Sequence, residues 1–196
     1  MAKPTDNERQ VWKPGTMVYP VPAVLVSCGS TVENRNLITV AWTGTICTNP
    51  AMLSISVRPE RHSHAIISEE KEFTVNLTTT DMARATDWCG VKSGRDFDKW
   101  KETGLTPVRG VKNSCFYVGE SPLAIECRVK DVIRLGSHDM FIAEVLDVLA
   151  DSRWINPETG AFDARSAGLM AYCHGAYYQL GDFIGRFGFS VMKKKK

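Results

Sequence analysis

The chain has 196 residues, 43% of them hydrophobic and 23% charged, proportions that suit one globular domain able to build its core without disulfide or metal staples. No apolar run approaches the roughly 20 residues of a membrane span, and Met1–Arg9 lack the apolar stretch of a signal peptide, so no membrane is expected and the cytoplasm is the expected compartment. The formal charge of +2 misleads, because Lys193–Lys196 supply four of the 24 basic residues and leave 20 facing 22 acidic ones. Four terminal lysines read as a solubilising tail. No basic stripe interleaved with aromatics remains, so nucleic acid is not an expected partner.

In chain order, strands are expected at Met17–Ser27, Asn36–Cys47, Met52–Val57, Glu72–Leu77, Leu123–Leu135 and Asp139–Leu149. Gly136-Ser137 joins the last two as a hairpin. Helical patches fall at about 63–70, at Asp81–Cys89 with Asp81 as N-cap, and at Asp96–Thr103. Gly104–Gly119 and Asp151–Ser166 read as loops. With no repeat or linker, residues 1–190 form one expected domain, followed by a basic tail at 191–196. Six or more strands with helices inserted on one side suit a mainly β fold, a closed or nearly closed antiparallel barrel of Greek-key type.

The cysteines, at 28, 47, 89, 115, 127 and 173, show no C-x-x-C spacing. Zinc ribbons, thioredoxin-like motifs and iron–sulfur runs therefore find no support, and no metal site is expected. Cys127 reads as buried packing in a strand. Cys47 is either core packing or, beside a ligand, an access-limited thiol.

Two segments point to a ligand. In Asn36–Pro50, Thr39, Ala41, Thr43 and Thr45 share one parity and Ile38, Val40, Trp42 and Ile46 the other, so a continuous strand would have one small polar face and one apolar face. Such a polar face would let a flat ligand approach the backbone, with Trp42 at its edge; an exposed Thr-rich edge strand would read the same way. In the second segment, Arg58, Arg61 and Ser63 precede or open a short helix. A helix N-terminus with two guanidinium groups and a hydroxyl suits a phosphate, while Ser63 as an ordinary cap is the alternative.

Other segments stand in a definite order: Tyr19-Pro20-Val21-Pro22, Asn36…Ala41-Trp42…Cys47-Thr48-Asn49-Pro50, Arg58…Ser63, Phe73-Thr74-Val75-Asn76, Cys89-Gly90-Val91-Lys92-Ser93-Gly94…Asp98-Lys99-Trp100 and Gly136-Ser137-His138-Asp139…Glu144-Val145. In that order and spacing the chain resembles the FMN-binding split-barrel proteins of the flavin-reductase-like family, and among them the flavoredoxins, from about Tyr19 to about Phe189.

The resemblance implies a split β-barrel and FMN held in a cleft at a homodimer interface. Trp12, Trp88, Trp100, Trp154 and Tyr177-Tyr178 are then candidates for that interface, or for covering the barrel ends. It implies that Asn36 meets the pyrimidine edge of the ring, and that Trp42 lies beside it. The backbone N–H groups from Thr43 to Thr48, those of Thr45 and Cys47 included, are candidates for contacts to ring N5, O4 and N3. Ser63 would bind the phosphate with Arg58 assisting, Lys99 would place a cation near N1 and O2, His138 would lie beside the flavin, and Tyr172 would stack over it. Lys99 could instead be an exposed helix side chain paired with Glu102 or Asp96. Asn76 and His174 are taken as structural. No protein acid–base residue is required, because the ring carries the chemistry. The implied activity is electron transfer by a tightly held FMN, to or from a redox partner protein. The alternatives are an NAD(P)H:flavin oxidoreductase that releases reduced flavin, or a non-catalytic barrel holding haem or pyridoxal phosphate. No G-x-G-x-x-G marks a dinucleotide domain.

Overall fold

The computed structural model describes residues 9–192, so the lysines of the expected tail and all but the last residue of Met1–Arg9 lie outside the described residues. Twelve strands and three α-helices follow in order: β1 (Val21–Pro22), β2 (Val24–Cys28), β3 (Asn36–Val40), β4 (Thr43–Cys47), β5 (Met52–Val57), α1 (His62–Glu70), β6 (Glu72–Leu77), α2 (Ala83–Val91), α3 (Lys99–Thr103), β7 (Pro107–Arg109), β8 (Phe116–Val118), β9 (Leu123–Arg134), β10 (Asp139–Ala150), β11 (Met170–Cys173) and β12 (Ala176–Gln179). Among the described residues no helix is long and apolar enough to cross a membrane.

Seven strands make one antiparallel sheet in the order β3-β2-β6-β9-β10-β5-β4. Its two edge strands, β3 and β4, are consecutive in the chain and separated only by Ala41 and Trp42. A two-residue link between opposite edges requires the sheet to curl until those edges nearly meet, giving the half-barrel of a split-barrel fold. Ser56 N–H donates to Trp42 O at 2.9 Å across that corner. Register shifts in β10 between Ile142 and Ala143 and between Val145 and Asp147 supply the bend that a flat ladder lacks.

Period-2 alternation divides β2 between two cores. Val24, Val26 and Cys28 pack inside the barrel with Ile38, Val40, Ile55, Phe73 and Phe141, and Ile66 and Ile67 of α1 close its mouth. Leu25, on the other face, joins Leu37, Met82, Cys89 and Trp100 beneath α2 and α3. Being buried on both faces, β2 reads as a continuous apolar run rather than an alternating one. Glu126, fully buried on β9, accepts from the N–H groups of Val111 and Lys112, both at 2.7 Å, so its charge is met by backbone donors.

Several expectations change. The strand expected at Asn36–Cys47 is two strands, so its parity does not run through Trp42. Thr39 does not keep a small face open for a ligand either: its hydroxyl donates to Thr86 O of α2, and a Cβ on Gly90 would lie 3.3 Å from Thr39 Cβ. Smallness there serves helix packing. The Met17–Ser27 segment is likewise divided, β1 pairing with β11 and β2 with β3 and β6. Asp81 lies within a 3₁₀ turn, Thr80–Met82, instead of capping α2, whereas Asp98 caps α3 by accepting from Trp100 N and Lys101 N. The expected loop at 104–119 contains β7 and β8. Trp100 is only 2% exposed and belongs to the second core, so it is not an interface residue of the exposed kind.

Candidate functional site

Asn36 opens β3 on the parity that faces the barrel interior, and α1 lies across the mouth above it. Asn36 Nδ2 donates to Ser63 Oγ at 2.8 Å, with both residues buried. Ser63 therefore does not cap α1: the N-cap position is Arg61, and no side chain caps that end. At that end His64 N–H donates to Arg61 O at 3.0 Å, and the N–H groups ahead of it in α1 have no side-chain cap. Gly94 presses against Asn36 from the other side, where a Cβ would overlap the amide oxygen. Only glycine fits that approach.

These residues line a cavity of about 300 Å³, together with Glu60, Arg61, His62, Lys92, Arg95 and Lys99. Lys99 is 4% exposed, and Nζ donates to Cys89 O at 2.7 Å. Burial lowers its pKa to about 8, with Arg61 adding repulsion and the neighbouring thiols opposing it. His62 is also pushed below the ordinary range, by burial and then by Arg95 and Lys99. With Glu60 the only carboxylate in the wall among the described residues, this space suits a dianion such as a phosphate monoester.

A second cavity, of about 230 Å³, shares Ile38 and Arg61 with the first. Its walls include Val40, Ala41, Trp42, Arg58, His138 and Tyr172. His138 is half-buried, its Nδ1 is 2.9 Å from Ser137 Oγ, and burial followed by Arg58 holds its pKa below the ordinary value. Arg58 pairs with Glu60 at 3.3 Å with both side chains about half exposed, a contact of little energetic weight. The arrangement is a cationic chamber opening into an aromatic one.

Of the sequence candidates, Asn36, Ser63 and Lys99 line the first cavity and Trp42, Arg58, His138 and Tyr172 the second. Lys99 is buried, so the exposed pairing with Glu102 or Asp96 does not hold. Thr43, Thr45, Cys47 and Thr48 line neither cavity: they lie on edge strand β4 and the turn after it, with Thr43 Oγ1 donating to Ser54 O at 2.8 Å. Cys47 is half-buried rather than core. Asn76 is structural as expected, donating to Leu25 O and Ser27 Oγ and accepting from Val118 N. Arg61, offered from sequence as a phosphate donor, lines both cavities, whereas the cations Lys92 and Arg95 and the role of Gly94 were not assigned from sequence. The turn Lys92-Ser93-Gly94-Arg95 carried the signal, but only its fold against Asn36 reveals the use.

Residues 16–181 match the family model described as a flavin reductase like domain. Among solved structures, the flavoredoxin of Desulfovibrio vulgaris (Miyazaki F) superposes with a TM-score of 0.87 at 28% identity, covering 94% of this chain and 100% of that one. The flavoredoxin from Methanosarcina acetivorans gives 0.84 at 24% identity, again over 94% and 100%. An NADH:riboflavin 5'-phosphate oxidoreductase of Streptomyces pristinaespiralis is 19% identical over 132 residues, 65% of this chain and 69% of that protein. A family match across most of the chain, on a curled half-barrel with a divided cavity at its mouth, places this protein in the flavin reductase-like family.

Proposed function

We propose that the two joined cavities hold one FMN, and that the protein carries electrons on that flavin as a tightly held prosthetic group, in the manner of a flavoredoxin. The observation that carries this reading is the join itself. A cationic chamber with an uncapped helix end meets an aromatic one across Ile38 and Arg61, and FMN has the same two halves, a phosphate and a flat ring. Ser63, Arg61 and Lys99 hold the phosphate, with Lys99 and Asn36 at this end of the ligand instead of at the ring edge that the resemblance implied, and Gly94 keeps the wall thin enough for Asn36 to stay in place. Trp42, Tyr172 and His138 enclose the ring, with Arg58 at its rim. The flavin supplies the electron-accepting chemistry when bound; the chain binds it, orients it and limits its contact with water.

A homodimer belongs to the same proposal. Edge strand β4 exposes Gly44, Thr45 and Ile46, and Phe183, Ile184 and Phe187 are 62%, 89% and 109% exposed. A second copy would cover them and bring β4, with Thr43, Thr45, Cys47 and Thr48, to a neighbouring flavin.

The second reading is an NAD(P)H:flavin oxidoreductase, favoured by the similarity to the Streptomyces enzyme. An absorption spectrum of the purified protein, repeated after anaerobic addition of NADH or NADPH, separates the two. Retained yellow FMN that bleaches slowly or not at all supports the carrier. Rapid bleaching with flavin lost on dialysis supports the reductase, and a colourless protein that takes up no FMN refutes both.

A further inference from the structure

Beside the ring chamber lies a third cavity, of about 380 Å³, and nothing in the flavin reading uses it. Its walls include Trp12, Lys13, Met17, Tyr19, Tyr172 and His174. Tyr172 lines both this space and the chamber next door. Tyr19 is the hub, with its ring centroid 6.2 Å from Trp42, 6.0 Å from Tyr172 and 5.9 Å from His174, the last two edge-on. Rings at these separations form an aromatic wall running from the flavin chamber outward.

His174 is the unexpected member. It forms, with Gly175, the two-residue turn between β11 and β12, and both have positive φ, 48° and 89°. That turn favours Asn-Gly, because Asn tolerates the left-handed region well. A histidine at the first position gives up the commoner choice and places an imidazole against Tyr19. The lining also offers donors, the Lys13 ammonium and the His174 imidazole, and no carboxylate among the described residues.

We infer that this cavity binds a second, planar aromatic ligand carrying a negative charge, with its ring against Tyr19 and Tyr172 and its anionic group toward Lys13 and His174. Aromatic edges and faces reward a flat ring over an aliphatic one of equal size. A lysine ammonium beside an imidazole donor rewards a carboxylate over a neutral hydroxyl. Sharing Tyr172 brings that ligand next to the ring chamber, and this adjacency, unlike binding itself, rests on the flavin reading.

The test is calorimetric titration of 2-naphthoate into the FMN-loaded protein and into the apoprotein, alongside 2-naphthol and cyclohexanecarboxylate. One site per chain is expected in both forms, with each control weaker by about fivefold or more. His174→Asn keeps a residue suited to the turn and is expected to weaken 2-naphthoate about fivefold, with FMN affinity unchanged. Tyr19→Leu is expected to weaken it similarly. Absence of binding at millimolar concentration, equal binding of cyclohexanecarboxylate, or indifference to both substitutions overturns the inference. One-for-one displacement of FMN also overturns it, by placing the probe in the flavin chamber. A protein that binds 2-naphthoate but never FMN would keep this site and refute the flavin reading.

Discussion

Asn36 and Ser63 meet at the mouth of the barrel, the amide of one donating to the hydroxyl of the other at 2.8 Å in a buried contact. Because Ser63 Oγ accepts that bond, its own proton remains to be given, to a ligand oxygen or to the neighbouring Cys28 sulfur. Ser63→Ala therefore loses a donor to a charged group and strands the Asn36 amide. A loss of roughly 1.5–3 kcal/mol in FMN affinity is expected. Riboflavin, which lacks the phosphate, should bind wild type and variant alike. Fluorescence titration of both flavins checks this, and unchanged FMN affinity would move the phosphate elsewhere.

Gly94 gives an independent test of the same wall. In Gly94→Ala the new methyl collides with the Asn36 amide oxygen, and the buried side chain must swing off Ser63. Overpacking of this kind costs about 1–3 kcal/mol, and FMN affinity should fall with it. Thermal denaturation and flavin titration measure the two effects. A variant as stable and as tight-binding as wild type would show that Asn36 is free to move and that the wall is soft.

The lowered pKa of Lys99, about 8 against an ordinary 10.5, fixes the sign of two pH effects. The unfolded chain holds that proton up to about 10.5 and the folded one only to about 8, so this group's contribution to stability rises as pH climbs from 8 to 10.5. Flavin binding runs the opposite way. A bound phosphate favours the charged amine and raises its pKa, so FMN affinity should fall above about pH 8, by up to about tenfold per pH unit. Lys99→Met should flatten that slope while lowering affinity at neutral pH. A slope that persists in the variant would assign the effect to another group.

Much of the barrel could be read from the chain because its inner strands carry unambiguous signals. Met52–Val57 and Glu72–Leu77 lie where the sequence places them, and the Gly136-Ser137 hairpin is formed as expected. The division of Asn36–Cys47 was hidden, since Ala41 and Trp42 continue a strand pattern and only closure of the sheet separates the two edges. Strands β7 and β8 are three residues each, too short for a period to register, and β11–β12 turn on His174-Gly175 instead of an Asn-Gly signal. In the site, Ser63 and Asn36 were legible as single residues, but their mutual bond was not. The buried state of Lys99 was equally invisible, because helix spacing alone favours an exposed lysine.

Trp42 tests the aromatic chamber. It is half-buried at the barrel corner, where its carbonyl accepts from Ser56 N, an interaction that a side-chain substitution preserves. Trp42→Ala should leave the fold intact and shorten retention of FMN on dialysis. Circular dichroism with a dialysis time course checks both halves, and loss of the fold would make Trp42 a core residue instead.

An imidazole–carboxylate contact and an ion pair flank the site, and burial separates their weights. His64 Nε2 lies 2.9 Å from Asp139 Oδ2 with side chains only 16% and 13% exposed, tying α1 to the first residue of β10, next to His138. Arg58 and Glu60 are 49% and 63% exposed. Asp139→Ala leaves a mostly buried imidazole without its partner, at a cost of about 1–3 kcal/mol, or roughly 2–4 °C in Tm per kcal/mol for a chain of this size. Glu60→Ala should cost less than about 1 kcal/mol. Urea denaturation of both variants decides the matter. Equal losses would mean that water reaches His64 as freely as it reaches Arg58, and that α1 is held over the barrel by Ile66 and Ile67 alone.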